Sequence, residues 1–172
     1  LNRQLTIDQL SVQTVSVNLP PPDHEKTAPT MPENLVLPLK LSILKASIDS
    51  IDLYPFNETE AERIISDIAF SFHSDGEHHH LQRFGLVTPW GSLTGSMHLN
   101  GHAPFPLTAQ TELHSTQSPS VIHGEISGNF ARMHAQFNTQ QHESNAKIQA
   151  EIAPFAAEPV VNLDISANNI NP

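Results

Sequence analysis

Strict alternation of apolar and polar residues is the feature that most restricts the fold of this chain. The clearest run has an apolar residue at every second position: Leu35, Leu37, Leu39, Leu41 and Ile43. Comparable runs occupy residues 68–72, 93–99, 107–113, 133–137, 148–152 and 161–167. Successive side chains of a β-strand point to opposite faces, so each run predicts a strand with one apolar and one polar face. The pattern predicts an all-β protein with antiparallel strands.

Residues that favour turns separate these runs. Asp75-Gly76, Asn100-Gly101 and Ser127-Gly128 are turn or bulge signals. The chain has 14 prolines and 7 glycines, and prolines interrupt long helices. An alternative at residues 57–66 is one short helix, since Thr59 and Glu62 have the spacing of a capping box.

Composition shifts divide the chain into three parts. Residues 1–19 alternate with two phase shifts, which predict N-terminal strands with bulges. Residues 20–34 hold five prolines and are predicted to form a loop. Residues 35–172 are predicted to form a sheet of strand–turn–strand repeats, because Ala103-Pro104-Phe105 recurs as Ala153-Pro154-Phe155 between alternating runs. The start at Leu1, without an initiator methionine, leads us to expect a fragment of a longer protein.

Charge and composition exclude several classes of function. The formal net charge is −10, which disfavours nucleic acid and anionic membrane surfaces as partners. The absence of cysteine excludes disulfides, zinc–thiolate sites and cysteine nucleophiles. No apolar run reaches the roughly 20 residues that cross a bilayer, so any anchor is expected outside the given sequence.

A catalytic or metal site has little support in the sequence. His78 and His80 have a spacing that can bind zinc or copper, with Asp75 or Glu77 nearby. A solvated polar hairpin explains the same residues, and no distant third ligand is evident. The Gly-x-Ser-x-Gly elbow of serine hydrolases is absent. We therefore predict no catalytic residues, no metal, no cofactor and no enzyme activity.

The apolar face itself is the remaining candidate for function. In a closed sandwich or barrel it would be the core, which is the usual role of such a face. Here the apolar positions are mainly Leu, Ile, Ala, Val and Met, with few aromatic residues. A smooth aliphatic face suits acyl chains, which need apolar area and no directional partners. Both interpretations remain open at this point.

Three segments resemble the TamB family. Residues 88–107, TPWGSLTGSMHLNGHAPFPL, are similar to the recurring G-x-L-x-G-x-x-x-L…P-x-P-L strand pair of that family. The proline-rich stretch Pro20 to Pro32, followed by Leu-Val-Leu-Pro-Leu-Lys-Leu at 35–41, resembles the proline linker that precedes such a strand. The closing Asn168-Asn169-Ile170-Asn171-Pro172 resembles the strand-end turns of the repeats, and AsmA-like, bridge-like lipid transfer proteins share this pattern.

The resemblance implies an architecture and a function. It implies a β-taco, a folded-over antiparallel or meandering sheet with an open hydrophobic groove. It implies a periplasmic segment of a Gram-negative protein that is anchored in the inner membrane and docks on the outer-membrane barrel TamA through other parts of its chain. The groove would shield phospholipid acyl chains during transport between the membranes, in support of outer-membrane biogenesis. Chaperoning of outer-membrane proteins and autotransporters is the alternative that the family suggests.

What the resemblance carries over to single residues is the role of the inward apolar positions. The His78–His80 cluster is no part of the family pattern. The residues predicted to line the lipid groove are Leu37, Leu39, Leu41, Ile68, Phe70, Leu93, Met97, Leu99, Leu107, Leu113, Ile126, Met133, Phe137, Ile148, Ile152, Leu163 and Ile165.

Overall fold

The computed structural model describes residues 3–19, 21, 29–57, 60, 62–141 and 144–168. These residues form one sheet of 11 strands, and no helix occurs among them. The strands are β1 Gln4–Ile7, β2 Leu10–Asn18, β3 Lys40–Tyr54, β4 Glu62–Ser74, β5 His78–Thr88, β6 Gly91–Asn100, β7 Leu107–Ser115, β8 Val121–Asn129, β9 Arg132–Gln141, β10 Ser144–Ile152 and β11 Val160–Asn168. The sheet is curled and does not close, so the predicted all-β, β-taco-like class is confirmed.

From β3 to β11 the sheet is an antiparallel meander in which each strand pairs with the next in sequence. Alternate connections therefore lie at the same edge of the curled sheet. Connections 75–77, 101–106, 130–131 and 153–159 share one edge, which holds Pro104, Pro106 and Pro154 and is called the proline rim. The connections that follow Tyr54, Thr88 and Ser115 share the opposite edge, called the tryptophan rim after Trp90.

The first two strands differ from the antiparallel prediction. β1 pairs with β3 in parallel at Gln4↔Lys40, and β2 pairs with the remainder of β3 in parallel from Leu10↔Ala46 onward. Together they form one interrupted edge strand beside β3. The Oγ atoms of Thr14 and Ser50 are 3.3 Å apart across this edge. A parallel pair needs a long connection, and 21 residues separate the end of β2 at Asn18 from the start of β3 at Lys40 in the sequence.

The structure corrects the predicted start of the strand at residue 35. β3 begins at Lys40, so Leu35, Leu37 and Leu39 precede it. Residues 34–39, called the strap, run along the proline rim across the ends of other strands. The N–H of Leu35 donates to the carbonyl oxygen of Gly101, and the N–H of Leu37 donates to that of Gly76, both at 2.8 Å. Alternation is therefore produced here by an extended segment that lies across the sheet.

The helix that was the alternative at residues 57–66 is wrong for the part that the structure describes. Ile64 and Ile65 lie in β4, and Ile65 pairs with Ile51 of β3. Thr59 lies outside the described residues. Pairing with an adjacent strand has overridden a local capping signal.

The sheet has a very small sealed core. Among the described residues, the buried apolar side chains are Ala46, Phe105, Leu107 and Ala135. The accessible surface is 11929 Å², whereas a compact protein of 18.9 kDa exposes about 8,300 Å². A closed sandwich is therefore not what this chain forms.

Candidate functional site: the apolar face of the curled sheet

The strand register places the apolar side chains in four rows that run across the strands. Residues paired across neighbouring strands lie on the same face of a sheet. The rows contain mostly apolar residues, and their exceptions are His79, Ser74, Thr111, Thr139 and the glycines. The first row is Leu41–Ser74–His79–Leu99–Leu107–Gly128–Met133–Ile152, and the second is Ile43–Phe72–Leu81–Met97–Ala109–Ile126–Ala135–Ala150–Leu163. The third is Phe84–Gly95–Thr111–Gly124–Phe137–Ile148–Ile165, and the fourth is Leu86–Leu93–Leu113–Ile122–Thr139–Ala146–Ala167.

The second row crosses nine strands, from β3 to β11. At about 4.8 Å between strands, it is about 38 Å long. Most side chains of the four rows are half-buried between β3 and β9, whereas residues at alternate positions, such as Ser92, His98 and Gln110, are exposed. This difference places the apolar rows on the inside of the curl.

Most of the predicted groove residues lie in these rows. Thirteen of them are row members, namely Leu41, Leu93, Met97, Leu99, Leu107, Leu113, Ile126, Met133, Phe137, Ile148, Ile152, Leu163 and Ile165. Ile68 and Phe70 pair with Ile48 and Ala46 on the β3–β4 pair. Leu37 and Leu39 lie in the strap. Their role toward a lipid stays a prediction.

The structure adds apolar residues that the predicted set lacks. Apart from alanines, these are Ile43, Phe72, Leu81, Phe84, Leu86 and Ile122. In β5 a bulge explains the omission: Leu81 pairs with Met97, yet Phe84, three positions later, pairs with Gly95 in the adjoining row. Arg83 takes up the extra residue with a φ of 49°. Alternation in the sequence fails to identify the inward residues across such a bulge. The apolar residues shift from odd to even positions, although they stay on the same face of the sheet.

Glycines in the third row let aromatic rings lie against the sheet. A Cβ at Gly95 would come within 2.8 Å of Cζ of Phe84 and would also meet the carbonyl oxygen of Gln110. A Cβ at Gly124 would come within 2.8 Å of the ring of Phe137. Both rings therefore occupy the space over a glycine of the neighbouring strand. Because these rings lie against the backbone, they project less from the apolar face than they would over a residue with a side chain.

A buried histidine fastens the strap to the apolar side of the proline rim. His79 lies in the first row and is buried. Its Nε2 is 3.0 Å from the carbonyl oxygen of Leu35, and its Nδ1 is 2.9 Å from Oγ of Ser74. Ser74 Oγ also accepts the N–H of Gly76. The carbonyl must accept, so Nε2 carries the proton, and Ser74 donates to Nδ1.

A ladder of three phenylalanines continues the proline rim beyond the strap. Phe105 is fully buried. Its ring centroid is 5.1 Å from that of Phe130, which is 5.7 Å from that of Phe155. The N–H of Phe130 donates to the carbonyl oxygen of Pro104 at 2.9 Å. The two copies of Ala-Pro-Phe thus bracket a third phenylalanine, which the sequence repeat does not contain.

The histidine cluster of the sequence lies mostly on the outer, polar face. His73, His80 and His98 are cross-strand neighbours, with ring centroids of 6.4 Å and 4.4 Å from His80. Burial, with the neighbouring His98 and His73, lowers the pKa of His80 below its ordinary value. His78 instead contacts Asp75 at 3.1 Å.

The Asp75 turn is held by its own carboxylate. Asp75 accepts hydrogen bonds from the backbone N–H groups of His78 and Glu77, which hold the pKa of its carboxyl well below the ordinary value.

Within the described ranges, no three side chains of the types His, Asp and Glu are arranged to hold a metal ion. Nor do those ranges contain a helix long and apolar enough to span a bilayer.

The comparison with protein families decides the identity. The family model described as "TamB, N-terminal domain" matches residues 1–171. The chain belongs to the TamB family. A search of the curated proteins and a search of the solved structures each found no match. TamB proteins form a transport and assembly family of the Gram-negative envelope, associate with TamA in the translocation and assembly module, and are not known as enzymes.

Proposed function

We propose that the apolar face shields phospholipid acyl chains as they move between the inner and outer membranes, in support of outer-membrane biogenesis. The observation that carries the proposal is the unbroken second row, which crosses nine strands without closing into a core. Its length of about 38 Å exceeds the roughly 15 Å depth of acyl chains in one leaflet of a bilayer. An acyl chain needs apolar area of this extent and no hydrogen-bond partners.

The placement of the chain in the cell is part of this proposal. The segment works in the periplasm of a Gram-negative bacterium, in a parent protein that is anchored in the inner membrane. Other parts of that parent chain contact TamA. The division of the chain into residues 1–19, 20–34 and 35–172 stays a prediction, and in the structure β1 and β2 join the same sheet as the later strands.

A charge in the centre of the apolar face tests the proposal. Ile126 lies in the second row between Ala109 and Ala135, which have small side chains. An arginine at position 126 would therefore extend beyond its neighbours into the path of an acyl chain. Ser127 follows on the same strand, on the opposite face, and is exposed. Ile126→Arg and Ser127→Arg therefore add the same charge to the two faces of β8.

We expect Ile126→Arg to weaken binding of a fluorescent fatty acid by at least about tenfold and to remove copurifying phospholipid, measured by mass spectrometry. Ser127→Arg should bind like the unchanged chain. Because the face is open, the guanidinium can reach water, and both variants should fold. Normal acyl binding by Ile126→Arg would refute the proposal, and so would its outright unfolding, since a sealed core would then be implied.

A second candidate function is a chaperone that offers a sheet edge to unfolded outer-membrane strands. The observation that favours it is the edge strand β11, in which every residue is exposed, with Leu163 at 54% and Ile165 at 67%. An exposed edge with apolar side chains is a template for strand addition. Ile165→Lys should then weaken binding of an alternating outer-membrane strand peptide, whereas Ile126→Arg, three strands from this edge, should bind the peptide like the unchanged chain. Equal peptide binding by Ile165→Lys and the unchanged chain would remove this candidate.

A further inference from the structure

One row of the outer, polar face is rich in histidine and is called the histidine row. Like the second apolar row, it crosses the nine strands from β3 to β11. Its members are Ser42–His73–His80–His98–Thr108–Ser127–His134–Glu151–Asn162. Three of its histidines are consecutive, on β4, β5 and β6. Because residues paired across neighbouring strands lie on the same face, these three imidazoles are neighbours.

The rings of His80 and His98 are close enough to bind the same metal ion. Their centroids are 4.4 Å apart, and their planes meet at 82°. A metal-bound imidazole nitrogen lies about 2.0–2.1 Å from the ion, so two imidazoles at 90–110° around it have centroids about 4.5–5.2 Å apart. Small side-chain rotations therefore bring this pair to that geometry. The ring of His73 is 6.4 Å from His80 and lies two strands from His98, which leaves two imidazoles for one ion.

The ring nitrogens of His80 and His98 are available to a ligand. Four other histidines contact carboxylates: His78 contacts Asp75, His102 contacts Glu77, and His114 and His123 both contact Glu112. In the part of the chain that the structure describes, no group forms a hydrogen bond or an ion pair with a ring nitrogen of His80 or His98. The lowered pKa of His80 also favours the neutral imidazole, which is the form that binds a metal.

The surroundings of the pair suit a hydrated cation. An open cavity of about 380 Å³ adjoins both rings near the proline rim, and Asn100, Pro106 and Thr108 also line it. It has room for an ion together with water molecules that complete the coordination. The net charge of −10 attracts cations to the chain. Imidazole nitrogen selects zinc, copper or nickel over magnesium and calcium, which prefer oxygen ligands.

We propose that His80 and His98 bind one divalent transition-metal ion, of the class of Zn²⁺ and Cu²⁺, on the outer face of the sheet. The sequence spacing pairs His80 with His78, whereas in the structure its partner comes from the neighbouring strand. The ion would join β5 to β6 beside His79, which fastens the strap on the opposite face. This site is independent of the shielding of acyl chains, because it lies on the other side of the sheet.

Titration of the chain, without an affinity tag, with ZnCl₂ in a calorimeter tests the site. Zn²⁺ should also raise the Tm, because the two histidines are held together only in the folded state. His98→Gln keeps an exposed polar side chain and should lower the affinity for Zn²⁺ by at least about tenfold, as should His80→Gln. The matched control is His134→Gln, which removes an exposed histidine from the same row and should bind Zn²⁺ like the unchanged chain.

A second metal tests the ligands directly. Cu²⁺ should bind more tightly than Zn²⁺. Its electron paramagnetic resonance spectrum at one equivalent should show coupling to two imidazole nitrogens, and to fewer in His98→Gln.

Three outcomes would overturn the metal site. The first is an equal affinity for Zn²⁺ in His98→Gln and the unchanged chain. The second is an equal rise in Tm with Ca²⁺, since cations would then only screen the acidic chain. The third is a loss of binding in Glu112→Gln that His98→Gln does not show, which would place the ion at that carboxylate. Fatty-acid binding separates this proposal from the acyl groove: it should be the same in His98→Gln and the unchanged chain, and its absence from both would count against the groove alone.

Discussion

Removal of the Phe105 ring should destabilise this sheet more than most single changes. The side chain is fully buried in a protein with four buried apolar residues among those described. Burial of a phenylalanine contributes about 2–3 kcal/mol, and a ring pair like Phe105–Phe130 adds about 0.5–1.5 kcal/mol. Phe105→Ala should therefore lower the free energy of unfolding by about 3–4 kcal/mol, within the range for such truncations. For a chain of this length the corresponding fall in Tm is about 6–16 °C.

Calorimetry and urea denaturation measure this loss, and two variants sharpen it. Trp90→Ala removes a larger but exposed ring and should cost less than about 0.5 kcal/mol. Phe105 has a φ of 63°, which strains any residue with a Cβ by about 1 kcal/mol, so Phe105→Gly should be no less stable than Phe105→Ala. A loss below about 1 kcal/mol for Phe105→Ala would refute the view that the rim is the sealed part of this fold.

Three further predictions concern the glycine Gly95 of the third row, the strap, and His80 on the outer face. Gly95→Ala should cost about 1–3 kcal/mol by overpacking, whereas Gly85→Ala, whose Cβ would meet nothing closer than 3.8 Å, should be nearly neutral in thermal unfolding. His79→Leu leaves the carbonyl of Leu35 without its buried partner, and we expect a loss of about 1–3 kcal/mol with faster hydrogen exchange along the strap. His80 has a lowered pKa, so the unfolded chain binds its proton more tightly; the free energy of unfolding should fall as the pH drops below the ordinary value of 6.5, and His80→Asn should reduce that fall.

Each of these has an outcome that contradicts it. Equal stability of the two glycine variants would mean that no ring lies over Gly95. Unchanged exchange at the Leu35 and Leu37 amides in His79→Leu would mean that the histidine does not hold the strap. For His80, the matched control is the exposed His134 on the same outer face. A His134→Asn variant that flattens the pH dependence as much as His80→Asn would exclude burial as the cause.

Local periodicity predicted the strands well where neighbouring strands keep an even register. The runs at residues 93–99 and 107–113 became β6 and β7, paired from Leu93↔Leu113 to Leu99↔Leu107 without a shift. Along these strands each apolar residue faces the inside of the curl, as period two requires. The predicted groove set is accordingly most complete there.

Sequence reasoning failed where the structure depends on contacts between distant residues. The strap alternates like a strand, but its hydrogen bonds go to Gly76 and Gly101, which no local pattern reveals. The parallel pairing of β2 with β3 depends on a crossover of low sequence regularity. The bulge at Arg83 depends on register with the strands beside it. Alternation of apolar and polar residues describes the two faces of a single strand. The strap, the parallel pair and the bulge instead depend on how several strands pair in the sheet.

The rows of the apolar face have one consequence for motion along it. Every strand from β3 to β11 contributes one apolar side chain to the second row, and their sizes range from that of Ala109 to that of Phe72. On the function proposed above, an acyl chain that slides by one strand, about 4.8 Å, leaves one apolar side chain and meets the next. No such step breaks a hydrogen bond, so the proposal predicts movement in both directions along the row. The row then sets no direction of its own, and net flow is expected to follow the difference in chemical potential between its two ends.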